Sequence, residues 1–174
     1  MNKGPALVAA VAALIVIGAG GAALPQSAQQ PAQPAPAAPA APTAPVPYTM
    51  TMGDLMNTLV QPRHAKLGLA GHAENWPLAA YAIFEIRQAF AGIVKAQPRF
   101  RGMPVGELVE AALNQAMTAV DTAIKQKDPA KFVAAYDQLT QGCNACHAAA
   151  DHPFVVIKTP DASAFPNQDF APRR

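Results

Sequence analysis

Val105-Gly-Glu-Leu108-Val109-Glu-Ala-Ala112-Leu113-Asn-Gln-Ala116-Met-Thr-Ala-Val120-Asp-Thr-Ala-Ile124 spaces its apolar residues three and four apart. That interval follows the turn of an α-helix and lays one apolar stripe along it; a strand would alternate in twos. Working outward, Pro104 and Pro129 sit where first-turn prolines belong, the second just after the good N-cap Asp128. Asn75 before Trp76 and Pro77 gives the same signal for an earlier helix, and Thr51 with Asp54 resembles a capping box for the first. These marks predict four helices, roughly 51–72, 76–96, 104–126 and 129–149. Short connections favour antiparallel neighbours. The expected fold is therefore all-α: an antiparallel up-down-up-down four-helix bundle with an extended C-terminal tail from 151. Pro62 strains this reading, because it falls inside the first helix, removes a backbone donor and costs about 3 kcal/mol relative to Ala. A kink is expected there, bending the helix around something bulky.

The 174 residues divide by composition. From 1 to 47 the only charged side chain is Lys3, so 12 Lys+Arg and 11 Asp+Glu lie in residues 48–174, a block of net charge +1 and the size of one ordinary domain. With no basic run there is no electrostatic footprint for nucleic acid, and 2 cysteines cannot staple a disulfide scaffold. Residues 1–24 carry Lys3 and then an almost unbroken apolar stretch from Ala6 to Leu24. That is the pattern of a secretory signal peptide or of an uncleaved N-terminal membrane anchor through residues 6–24. Residues 25–47 are nearly all Pro, Ala and Gln, with prolines at 25, 31, 34, 36, 39, 42, 45 and 47. Such a segment cannot form a ladder or bury a core, so a disordered spacer is expected. A spacer is most useful between an anchor and a mobile domain, which tilts the expectation towards membrane retention.

Near the end of the fourth helix stands Cys143-Asn-Ala-Cys146-His147, the heme-attachment motif of two cysteines three apart followed by histidine. Thiols one helical turn apart can each bond a vinyl group of one heme, and the adjacent imidazole then sits under the iron. Phe132, Val133, Tyr136, Leu139, Cys143 and Cys146 fall along one stripe, which turns the cysteines towards the other helices. Three plainer readings compete. A disulfide between residues so close in sequence stabilises little. A thioredoxin-like pair wants a strand before it, and a zinc site wants further ligands that the four histidines do not supply at metal-ligand spacing. An export signal and a c-type heme, which is attached outside the cytoplasm, agree with one another.

A C-terminal motif on the last of four helices resembles the class II c-type cytochromes, the cytochrome c-prime group and its low-spin relatives, over about residues 50–150. The resemblance implies one covalently attached heme c per chain, held by Cys143 and Cys146 with His147 as axial ligand, and a residue near the start of the first helix facing the iron. Met56 is the first candidate for that sixth ligand and Met52 lies one turn earlier. His64 is the runner-up, about 12 Å further along the axis at the helical rise. Its plainer role is a surface histidine or a partner for a heme propionate, a role that Arg63 and Lys66 would share. His72 and His152 are expected to be solvated, and Trp76, Tyr81, Phe84 and Phe90 to pack as aromatics.

The tail departs from the family, which usually stops within a few residues of the motif. Here 27 residues follow His147, including Phe154-Val-Val-Ile157, Pro160, Phe165, Pro166 and Phe170. An extended segment folded over the helices or the heme edge is expected, with a homodimer or partner contact as the alternative. Together these features predict an electron carrier, periplasmic or tethered on the outer face of the cytoplasmic membrane, that meets redox partner proteins and is no enzyme. No Ser/His/Asp or carboxylate pair stands out. A five-coordinate protein that binds NO or CO is the alternative, and needs an apolar residue rather than Met56 against the iron.

Overall fold

The computed structural model describes residues 48–173; the expected signal or anchor at 1–24 and the spacer at 25–47 lie outside them. Four helical stretches follow one another. The first covers 52–72, α-helical over Met52–Leu55 and Gln61–His72 with a π-helical turn at Met56–Val60 between them. The second is Trp76–Ala96. The third covers 105–126, with a π-helical turn at Glu110–Asn114, and the fourth is Pro129–Ala149. The first helix packs on the second and the fourth, and the third packs on the same two. Among the described residues no helix is long and apolar enough to cross a membrane.

The expected helix starts have physical causes visible at each end. Thr51 Oγ1 accepts from the Asp54 N–H at 3.2 Å while the Asp54 carboxylate accepts from the Thr51 N–H at 2.8 Å, a closed capping box. Asn75 caps the second helix by accepting from Leu78 N–H, and Asp128 caps the fourth by accepting from Lys131 N–H at 3.0 Å. Pro62 is accommodated by the π-turn. Gln61 N–H donates five residues back to the Met56 carbonyl, and Pro62 then falls at the start of a new α-helical run, where its missing donor costs little.

Two expectations are corrected. The third helix begins at Val105, one residue later than expected, because Arg99–Phe100 and Met103–Pro104 pair as a short antiparallel hairpin. Its two-residue turn, Arg101 (φ 50) and Gly102 (φ 85), has positive φ at both positions, as a type I′ turn requires. On the fourth helix Val133 lies off the buried stripe and is 41% exposed.

The core is assembled from one face of each helix. Leu67, Ile83, Ile86, Ile93, Leu113, Val120 and Leu139 are almost wholly removed from water, and burying each such side chain is worth roughly 1.5–3 kcal/mol. Phe132 and Tyr136 stack at 5.8 Å between ring centroids and are themselves fully buried. Glycines on the first helix make room for them. A Cβ at Gly71 would overlap the Phe132 ring, and one at Gly68 would stand 2.6 Å from Tyr136 Oη. Trp76 meets Phe132 edge-on at 6.1 Å and Phe90 is buried, but Tyr81 and Phe84 are 60% and 53% exposed, so they are surface residues and not packing aromatics.

The tail folds back over its own chain. His152 N–H donates to the His147 carbonyl at 2.8 Å as the fourth helix ends, and the backbone then runs extended. Thr159 reaches Asp137, Pro160 lies against Gly68, Lys66 sits 4.8 Å from the Phe165 ring centroid, and Asn75 Nδ2 donates to the carbonyls of Phe170 and Ala171. The chain is thereby strapped along the first and fourth helices to the start of the second.

Candidate functional site

The fourth helix delivers Cys143, Cys146 and His147 to the wall of two cavities that share Met56, Asn57, Phe90, Cys146, His147 and Val155. The larger, about 190 Å³, is closed by Met52, Phe100, Val105 and Leu108, and the smaller, about 70 Å³, by Cys143, Leu113 and Ile157. Their walls are predominantly apolar. All four helices, the hairpin and the tail contribute. Met56, in the π-turn of the first helix, borders both cavities, and Met52 borders the larger one only.

Neither cysteine is in a disulfide. Burial pushes the Cys143 thiol up to about 12 and raises Cys146 as well, because a thiolate in apolar surroundings loses its hydration. Reactive and metal-binding cysteines have lowered values. These two are neutral thiols in a predominantly apolar wall. Among the described residues no three of His, Cys, Asp and Glu converge as a metal-binding group, so the zinc reading gains nothing.

His147 is half-buried, and its Nδ1 lies 2.8 Å from the Val155 carbonyl. A carbonyl can only accept, so Nδ1 carries a hydrogen and Nε2 is the ring nitrogen left to face a metal. The donor set therefore fits a covalently held heme: two neutral thiols at a helical turn, one oriented imidazole with a free nitrogen, and a methionine on the same cavity.

His64 is placed differently from its expected surface or iron-facing position. It is buried at 4% exposure, with Nε2 3.0 Å from Thr140 Oγ1 and Nδ1 3.0 Å from Tyr136 Oη. Both ring nitrogens are engaged, so neither is free for iron. Tyr136 Oη also donates to the His64 carbonyl at 2.8 Å, and the two rings stack at 4.7 Å. Burial holds the imidazole at about 4, well below its ordinary 6.5, and raises the Tyr136 phenol beyond its usual range. Its edge nevertheless borders the smaller cavity.

Arg63 and Lys66 are engaged elsewhere. Arg63 Nη2 pairs with Glu85 at 3.2 Å and Nη1 donates to the Leu59 carbonyl at 2.8 Å, while Lys66 lies over Phe165. His72 is exposed as expected, whereas His152 is half-buried and borders the larger cavity, with its ring beside Phe100 and Phe154.

Sequence reasoning missed Asn144, Val155 and Ile157. Asn144, between the two cysteines, grips the tail at both backbone groups of one residue: Nδ2 donates to the Ile157 carbonyl at 2.9 Å and Oδ1 accepts from its N–H at 2.7 Å. Side chains then alternate as on any extended segment. Val155 and Ile157 border the cavities, although Val155 is still 40% exposed, and Phe154 and Val156 are 77% and 71% exposed. An amide inside the motif and an apolar run of alternating exposure were the available signals. The chain matches no protein-family model, no curated protein and no solved structure.

Proposed function

We propose that this chain is a mono-heme c-type cytochrome that carries electrons, and that its four helices form an antiparallel up-down-up-down bundle of the class II kind. One observation carries the reading: Cys143, Cys146 and His147 share one apolar cavity wall with Met56, and His147 is oriented with Nε2 free. A heme bound there supplies an iron that changes oxidation state by one electron. The protein's own part is to hold and shield it. Cys143 and Cys146 would fix it to the fourth helix, and His147 and Met56 would hold its iron. Phe90, Leu113 and Ile157 keep water out, which limits reorganisation around the metal and favours rapid transfer. A porphyrin is larger than either cavity, so flexible side chains around them such as Met52 would have to give way. This reading asks no acid or base of the protein, so no catalytic residue is assigned, and the partners are redox proteins. Export through residues 1–24 belongs with this reading, since c-type hemes are attached outside the cytoplasm.

The test is expression in a host able to attach c-type heme, followed by a heme stain on a denaturing gel and an optical spectrum. A stained band with a low-spin ferric spectrum is expected. A colourless chain ends the proposal, and a stained chain with a high-spin spectrum that binds carbon monoxide on reduction replaces the carrier with the gas-binding alternative.

A further inference from the structure

The tail meets the side chain of the candidate axial ligand through the Val155 carbonyl, on a segment that the heme motif itself grips two residues further on. Asn144 holds Ile157 through both its N–H (2.7 Å) and its carbonyl (2.9 Å), as a neighbouring strand would. Two residues earlier on the same extended segment, the Val155 carbonyl accepts the proton of His147 Nδ1 at 2.8 Å. The far end is pinned too, where Asn75 donates to the Phe170 and Ala171 carbonyls at 3.2 and 3.0 Å. The strap thus closes a loop of bonds: Asn144 to Ile157, along the backbone to Val155, and back to His147, three residues from Asn144.

We infer that Asn144 is a positioning residue that sets the redox potential of the site by holding the Val155 carbonyl on His147. The inference rests on the heme reading above and deepens it. A metal-bound imidazole that donates its other N–H to a fixed carbonyl is more basic and pushes more electron density onto the metal. That stabilises the oxidised iron over the reduced one and lowers the potential. Without the grip of Asn144, Val155 is held only by the bond from its N–H to the His152 carbonyl at 3.0 Å, the chain beyond it is released, the Val155 carbonyl drifts, and water becomes the competing acceptor. The potential then rises. The same release uncovers Ile157, which borders the smaller cavity, and lets water in.

The experiment is a redox titration of the full-length holoprotein and of Asn144→Ala, with the iron–imidazole stretching frequency read by resonance Raman on the ferrous forms in a Met56→Ala background, where the iron is five-coordinate and the band is visible. Because position 144 lies inside the attachment motif, Ile157→Pro is the second variant: it deletes the N–H that Asn144 accepts and leaves Cys143 to His147 intact. Both variants should raise the potential enough to change the ratio of reduced to oxidised protein about tenfold at fixed ambient potential, which is about 59 mV for one electron. The stretching frequency should fall. If Asn144→Ala does not mature, the Ile157→Pro result decides. Heme-loaded variants that melt earlier but keep the wild-type potential and frequency would show a merely structural clasp and overturn the inference. A colourless wild-type protein would instead remove the heme reading on which it stands, so the two failures are distinguishable.

Discussion

Gly142 lies so close to Ala112 that a Cβ at 142 would overlap the Ala112 carbonyl oxygen and stand 2.8 Å from Leu113 Cδ2. The carbonyl belongs to the π-turn of the third helix, and Gly142 immediately precedes Cys143, so this contact sets how closely the motif approaches its neighbour. A backbone oxygen cannot rotate away. Gly142→Ala should therefore cost about 2 kcal/mol in urea unfolding, the overpacking penalty of up to about 3 kcal/mol outweighing the gain of roughly 0.5–1 kcal/mol for Ala over Gly in a helix. A variant as stable as the wild type would show that the contact is looser than described.

Gly92 is the counter-case. It is exposed in the second helix, and a Cβ there meets nothing within 4 Å. Gly92→Ala should raise stability by roughly 0.5–1 kcal/mol, because only the backbone entropy of the unfolded chain changes. Thermal melting of both glycine variants side by side separates a packing glycine from an incidental one.

His64 makes stability depend on acid. Its folded value, about 4, lies below the ordinary 6.5, so the unfolded chain binds more protons between those limits. Its contribution is complete above pH 6.5, drains away as pH falls towards 4, and amounts to about 3 kcal/mol at most. Urea midpoints measured from pH 7 to pH 4.5 should fall more steeply for the wild type than for His64→Gln, which keeps an amide in place of the ring and cannot titrate. Parallel curves would mean that His64 is solvated in the native state.

In the heme-free chain Cys143 should resist alkylation. A thiol held at about 12 presents on the order of 1000-fold less thiolate at pH 8 than an unperturbed one. Mass spectrometry after a short iodoacetamide pulse should find the label on Cys146 first. Rapid labelling of Cys143 would contradict its burial.

Met56→Ala should turn a low-spin ferric spectrum into a high-spin one while leaving the heme covalently attached. If that spectrum is unchanged and His64→Ala alters it instead, the ligand assignment moves to the first helix's buried histidine.

Much of the helical layout was legible because caps are local chemistry: Thr51 with Asp54, Asn75 and Asp128 announce their helices within four residues. The hairpin at 99–104 is too short to show a strand pattern, although Arg101-Gly102 between Phe100 and Met103 is a readable two-residue turn. Pro62 pointed to an interruption, and the structure makes it a change of helical register. His64 reads from the sequence as a second iron ligand or a surface histidine, because its distance from Met56 along the helix is the conspicuous feature. Its spacing from Val60 and Leu67 already placed it on the buried stripe. The motif residues were legible as side chains, but the acceptor on His147 was not, because a main-chain oxygen has no letter in the sequence.

That last property has an evolutionary consequence. Any amino acid at 155 brings the same oxygen, so natural variation there should be broad wherever an apolar wall is kept, while position 144 must supply a donor and an acceptor on one short arm. Descendants of this chain should therefore drift freely at 155 and scarcely at all at 144.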